Sequence, residues 1–194
     1  MLNSVTEVAG RTRLSPEERR RQLLGIGLRM LVERPIQDLS IDAVAAEAGI
    51  SRGLLFHYFP TKTDYYDAVI GAALRRVRRN VAPDADAAPD VAIAQFTERF
   101  YAQIERRREF YLALVFGNGS LSLGGADVES HRMVITQTLV EAAQLPATAS
   151  TVVHSWLAYV EDRALQWALE PGEVSLASEV AHCLRALEAL LALD

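Results

Sequence analysis

A serine, an arginine and a glycine stand in a row at Ser51, Arg52 and Gly53, inside the stretch IDAVAAEAGISRGLLFHYFPTK. Leu54, His57, Tyr58 and Lys62 follow within eleven residues of Ser51. The chemistry these types share is hydrogen bonding to oxygen and to base edges. Serine and arginine can reach bases or phosphates, and glycine lets a partner backbone approach closely. Histidine, tyrosine and lysine suit phosphate contacts, which fix register without reading sequence. Catalytic patterns are missing elsewhere. The chain has no Gly-rich phosphate loop and no Gly-x-Ser-x-Gly elbow. His131, His154 and His182 lack partners at metal-ligand spacing. Glu161 and Asp162 are helix neighbours pointing about 100° apart, a poor acid–base pair. A non-enzyme without metal or cofactor is expected.

The elements that must position these residues are all helical, because sustained period-2 runs are missing. A first helix opens at SPEE, with Ser15 and Glu18 as a capping box and Pro16 at the first position. Leu23, Ile26, Met30 and Leu31 form its apolar stripe, and Pro35 ends it. Ser40 has the type and place of an N-cap for a short helix burying Ile41, Val44, Ala45 and Ala48. Gly49 suits a left-handed C-cap, and Ser51 starts a second short helix that Pro60 stops. Thr61 or Thr63 caps a fourth, whose last turn holds Arg75, Arg76, Arg78 and Arg79. Helix, short Gly-containing turn, helix is the helix-turn-helix pattern, in which the second helix offers its N-terminal residues to base edges.

Charge divides along the chain. Residues 1–80 carry 13 Arg and Lys against 9 Asp and Glu, net +4, and residues 81–194 carry 7 against 16, net −9. A basic first part on an acidic remainder suggests that the first part meets a polyanion. APDADAAPD, residues 82–90, reads as the boundary. The expected division is a DNA-binding unit over 1–80 and a helical body over 81–194. The 194 residues suffice for a real core, and half of them are hydrophobic. The apolar runs are too interrupted to span a membrane, the N-terminus has no apolar signal region, and the single cysteine fits a reducing cytoplasm. Cys183, among Val180, Leu184 and Leu187, reads as an inert core thiol.

The run from the aliphatic-Ala-Ala-x-Ala-Gly-aliphatic-Ser segment, through the aromatic-x-Tyr-Phe group, to Thr61-Lys62 resembles the DNA-binding module of the tetracycline-repressor (TetR) family. The resemblance covers roughly Glu17 to Arg79. It implies an all-α protein of about nine helices: an N-terminal three-helix helix-turn-helix module and a C-terminal helical ligand-binding and dimerisation body. It implies a homodimer that binds a double-stranded DNA operator as a repressor and is released by a small-molecule effector. Activation in place of repression remains open, as does a helical protein-interaction module without specific DNA binding. Carried over by position, the DNA contacts are Ser40, Ser51, Arg52, Gly53, Leu54, His57, Tyr58 and Lys62, with Phe59 in the core. Phe56 stands where many relatives have Tyr. It lacks the hydroxyl that often meets a phosphate there, and either meets a thymine methyl or packs inward. Arg11, Arg13 and Arg19 to Arg21 form either a basic arm or a solvated face.

Five further helices are expected. They run from about Asp90 to Arg107, over EFYLALVFG, from Asp127 to about Gln144, from LPATAS to about Glu170, and from Leu176 onward. Ile93, Phe96, Phe100 and Ile104 share one face of the first. The helix over TVVHSWLAYVEDRALQWALE is apolar over so wide an arc that its own core and a second copy are both expected against it. Leu184, Leu187 and Leu191 would complete that interface. A pocket among the middle helices has Phe96, Phe100, Tyr111, Phe116, His131, Ile135, Trp156 and Tyr159 as candidate liners. Each reads equally as plain core, because aromatics at helical spacing pack. Arg132, Glu161 and Asp162 need partners if buried, and Arg163 is expected to pair locally.

Overall fold

The computed structural model describes residues 14–33, 39–108, 125–170, 172 and 174–193. Eight α-helices form among them: α1 (Pro16–Glu33), α2 (Ile41–Ala48), α3 (Arg52–Tyr58), α4 (Lys62–Val81), α5 (Pro89–Arg106), α6 (Gly125–Ala142), α7 (Ser150–Leu169) and α8 (Leu176–Leu191). One 3-10 turn, Ala147–Ala149, leads into α7. The described residues contain no strand. The expected short helix over residues 109–117, with Tyr111 and Phe116, lies outside the described residues, as do Arg11 and Arg13. Helix α6 begins two residues ahead of Asp127, the expected start.

Local chemistry starts these helices. The Glu18 N–H donates to Ser15 Oγ at 3.2 Å, and the Ser15 N–H donates to Glu18 Oε2 at 2.8 Å. That backbone bond holds the Glu18 carboxyl below the ordinary carboxylate value. Thr61, not Thr63, caps α4 in the same reciprocal way with Asp64. Two apolar clusters then organise the chain. The first gathers Leu23, Ile26, Leu39, Val44, Leu55, Phe59, Tyr65, Val69 and Leu74 from α1 to α4. The second runs from Val77 through Phe96, Tyr101, Leu139, Trp156 and Cys183 to Leu187. The change of cluster falls inside α4, between Leu74 and Val77, so one continuous helix serves both. The loop over 82–88 is tied to α5: Arg99 donates to Ala82 O and Asp84, and Gln95 exchanges bonds with Asp84.

Helix α1 crosses α4 closely at a glycine. A Cβ added to Gly27 would lie 2.6 Å from both the Tyr65 hydroxyl and Val69 Cγ2. Neither neighbour can yield. Val69 is fully buried, and the buried Tyr65 hydroxyl donates to Leu23 O at 2.8 Å. Overpacking of this kind costs about 1–3 kcal/mol. Gly27→Ala is therefore expected to cost about 2 kcal/mol of stability, read as a lower urea midpoint, despite the gain in helix propensity. An unchanged midpoint would show that α1 can shift away from α4 freely.

In the body, α7 buries Val153, Trp156, Leu157, Val160, Ala164, Leu165 and Ala168 within its own chain. The wide arc is thus largely consumed by α5, α6 and α8. Of the leucines expected at an interface, Leu187 is buried in the core, while Leu184 and Leu191 are half-buried. Arg163 does not pair locally: it reaches α8 and grips Glu179 with Nε at 3.0 Å and Nη2 at 2.7 Å. Cys183 is fully buried. Burial pushes its thiol up, which fits an inert packing role.

Candidate nucleic-acid interface

The turn between α2 and α3 is set by backbone geometry. Gly49 adopts φ 65° and ψ 38°, the left-handed region that glycine enters without a Cβ clash. Its N–H donates to Ala46 O at 3.1 Å, and the Ile50 N–H donates to Ala45 O at 3.0 Å. Those two bonds make a Schellman motif, which satisfies the last carbonyls of α2. Ile50 packs against the first cluster beside Leu55 and Phe59, which anchor the inner face of α3. The outer face of α3 is left free.

On that face stand the residues singled out by type. Ser51, Arg52, Gly53, Leu54 and His57 are all exposed, with Ser40 and Lys62 exposed on either side and Tyr58 half-buried. Ser40 and Ser51 are both N-caps, accepting from the Ala43 N–H at 3.3 Å and the Leu54 N–H at 3.1 Å. A cap uses the hydroxyl oxygen as acceptor, so each hydroxyl proton is still available as a donor. Lys62 opens α4, its ammonium 5.0 Å from the Tyr66 ring centroid. His57 meets Tyr58 edge to face at 5.5 Å. Leu54 presents an apolar side chain, 40% exposed, suited to a methyl group and not to a hydrogen bond. Phe56 packs against the module core while the Arg52 guanidinium sits 5.4 Å from its ring centroid. Its role is thus partly that of a shelf for Arg52.

Asp42, which sequence reasoning missed, and Arg19 and Arg20, which it left between a basic arm and a solvated face, complete the geometry. Asp42 on α2 accepts from Arg52 Nη1 at 3.1 and 3.2 Å across the turn. Arg19 donates to Ala48 O at 3.3 Å, and Arg20 donates to Tyr58 O at 3.2 Å while covering the Phe59 ring at 4.3 Å. The two α1 arginines thereby bind the carbonyl ends of α2 and α3, where the helix dipole favours positive charge. For Arg19 and Arg20 this places the basic run on the module itself. Their signal is not local, because it depends on where α1 crosses the pair.

Gly53 has no structural requirement within the chain. Its φ is not positive, and an added Cβ would meet only Ser51 Oγ, at 3.9 Å. Alanine there raises helix propensity by up to about 1 kcal/mol. Gly53→Ala is therefore expected to keep or slightly raise the melting temperature while weakening duplex binding about tenfold, equivalent to about 1.4 kcal/mol. Loss of stability and binding together would assign Gly53 to the fold instead.

The proposed pocket liners fall into different settings. Phe96, Phe100, Ile135 and Trp156 belong to the body core, with Phe96 and Phe100 stacked at 5.6 Å. Phe96 and Ile135 also line a cavity of about 160 Å³ between α4 and α6. His131 is half-buried, and Tyr159 is 37% exposed and paired with His182. Arg132 bonds Glu161 at 2.6 Å and Glu129 at 3.2 Å. Burial opposes its charge, but the two carboxylates more than offset this and hold the guanidinium above the ordinary arginine value. Asp162 is exposed. No cluster of His, Cys, Asp and Glu able to hold a metal occurs among the described residues.

Comparison with known proteins gives one pattern. Residues 23–69 match the family model described as bacterial regulatory proteins, tetR family. An uncharacterised HTH-type transcriptional regulator of Mycobacterium tuberculosis is 27% identical over 183 residues, covering 92% of this chain and 77% of that protein. The HTH-type transcriptional regulator EthR of M. tuberculosis is 38% identical over 65 residues, covering 34% of this chain and 28% of that protein. Among solved structures, a TetR-family transcriptional regulator from Streptomyces coelicolor superposes with a TM-score of 0.74 at 26% identity. That match covers 93% of this chain and 83% of the other. A short exposed helix held on a glycine turn, a family match spanning that turn, and a shared fold that continues through the body lead to one conclusion: residues 23–69 form a DNA-binding module of the TetR type, and the protein is a DNA-binding transcriptional regulator.

Proposed function

We propose that the protein is a repressor that holds an approximately palindromic operator as a homodimer and is released by a small molecule. The observation that supports this is the exposed outer face of α3, where Ser51, Arg52 and His57 face solvent while Leu55 and Phe59 fix the helix from behind. Residues 1–80 act as the DNA-binding unit and residues 81–194 as the effector and dimerisation unit. The last two helices supply the interface, through the residues that the core leaves exposed: Tyr159, Leu169 and Leu190, each between 37% and 40% exposed. Two copies present two reading helices, which a duplex with two inverted half-sites satisfies at once. The effector contacts Phe96 and Ile135 at the small cavity, with Phe100 and Trp156 packed against Phe96. No helix among the described residues is long and apolar enough to cross a membrane. The buried lone thiol suits the reducing cytoplasm where the operator would be met.

The test is selection of bound duplexes from a random pool, followed by titration of the winner at several salt concentrations. Expected are two inverted half-sites bound by a dimer, with affinity falling steeply as salt rises through counterion release. A pool that yields no enriched sequence would overturn the reading.

A further inference from the structure

A cavity lined by described residues lies away from the candidate pocket, at the junction of α1, α4 and α5. Its volume is about 680 Å³, within the range of small-molecule sites. Three helical stripes build it. Leu28 and Leu31 come from α1; Ala73, Arg76, Val77 and Asn80 come from one face of α4; Gln103, Arg106 and Arg107 come from the end of α5. The spacings of three, four and seven residues explain why each set faces one space.

The lining is divided by chemistry. Leu28, Leu31, Ala73 and Val77 form an apolar side. Arg76, Arg106 and Arg107 bring three guanidinium groups to the same cleft, and among the described residues no carboxylate pairs with any of them. Gln103, only 6% exposed, accepts from Asn80 Nδ2 at 3.2 Å, which leaves its amide N–H groups as donors at the inner wall. Guanidinium forks match carboxylate and phosphate oxygens in a way a point charge does not. Three positive groups gathered with no paired carboxylate among the described residues favour an anion between them.

We propose that this cleft binds an amphiphilic anion, a carboxylate or phosphate head held by Arg76, Arg106 and Arg107 with an apolar tail against Leu28, Leu31 and Val77. The site lies at the place where the two apolar clusters meet, between Leu74 and Val77. Arg76 is fourteen residues along α4 from Lys62, about 21 Å at the helical rise. A ligand that joins α4 to α5 at one end therefore fixes the lean of the helix whose other end flanks the DNA. Its consequence for DNA rests on the repressor reading, since any effect needs different affinity for the two arrangements.

The full-length protein would be titrated by calorimetry with octanoate, octyl phosphate, inorganic phosphate and octanol. Expected is saturable binding of at least one octyl anion, at least tenfold tighter than octanol and tighter than inorganic phosphate. Arg106→Gln with Arg107→Gln, and separately Arg76→Gln, should each weaken it at least tenfold with the melting temperature unchanged. Operator affinity should fall severalfold when that anion saturates wild type, and not in the variants. Equal binding of octanol and both octyl anions, no saturable binding of any anion, or anion binding indifferent to all three arginines would overturn the proposal. The operator titration without probe separates the two ideas. Operator binding that persists where no anion binds removes the cleft site and leaves the repressor; no operator at all removes the repressor and leaves the calorimetry to judge the cleft.

Discussion

Arg163→Met is expected to destabilise the protein by about 3–5 kcal/mol, the cost of removing one partner from a buried ion pair. The Glu179 side chain is 7% exposed and the Arg163 side chain 32%. Arg163 donates to both Glu179 oxygens, and the Tyr101 hydroxyl donates to Oε2 at 3.1 Å. Burial drives the Tyr101 hydroxyl well above its ordinary value, with the Cys183 thiol adding to the shift, so it remains a donor at all working pH. Glu179 holds the Arg163 guanidinium above the ordinary arginine range despite partial desolvation. With Arg163 gone, a carboxylate stays buried on a single hydroxyl. For a chain of this size the loss lowers the melting temperature by roughly 10 °C. Arg163→Lys keeps the charge but loses the fork, and should fall between. The double variant Arg163→Met with Glu179→Met removes both charges and should recover most of the stability. A single variant that costs under about 1 kcal/mol would show that water or the Tyr101 hydroxyl already satisfies Glu179.

That pair marks the boundary of what the sequence makes legible. Ser15, Ser51, Thr61 and Gly49 act within three or four residues of themselves, so their capping roles can be read from type and spacing. The same holds for the exposed set on α3, because a short helix between a glycine turn and Pro60 has one inner face, and Leu55 and Phe59 fill it. Arg163 lies sixteen residues from Glu179, on the next helix. Local spacing offers only neighbours and so points to the wrong partner. The wide apolar arc of α7 was ambiguous for a related reason. A helix surrounded by α5, α6 and α8 has the same composition as one shared with a second copy, and only packing assigns Trp156 and Val160 to the chain's own core. Arg19, Arg20, Asp42 and the junction cleft depend on crossings between helices, which single-helix periodicity does not contain.

Arg52→Ala should change which bases are preferred, whereas Lys62→Ala should weaken all duplexes alike. A bidentate arginine–base contact is worth about 1–3 kcal/mol, so the proposed dimer loses about 2–6 kcal/mol over two half-sites. Lys62, at the start of α4 and exposed, has the placement of a phosphate contact, and its removal should lower the salt slope by about one per half-site. Before binding, Arg52 is held by Asp42, with 60% of the Arg52 side chain and 68% of the Asp42 side chain exposed. Exposed pairs contribute only about 0–1 kcal/mol, so DNA can take Arg52 from Asp42 at little cost. The pair therefore parks Arg52 over the Phe56 ring without trapping it. Asp42→Asn should raise affinity severalfold, by freeing Arg52 and removing a negative charge near the phosphates. The same change in the Arg52→Ala background should gain less, and the difference measures the competition between Asp42 and DNA. Competition binding with the selected operator and its single-base variants reads all four proteins. Equal loss on every sequence for Arg52→Ala would make Arg52 a phosphate contact, and base reading would then fall to Ser51, Leu54 and His57.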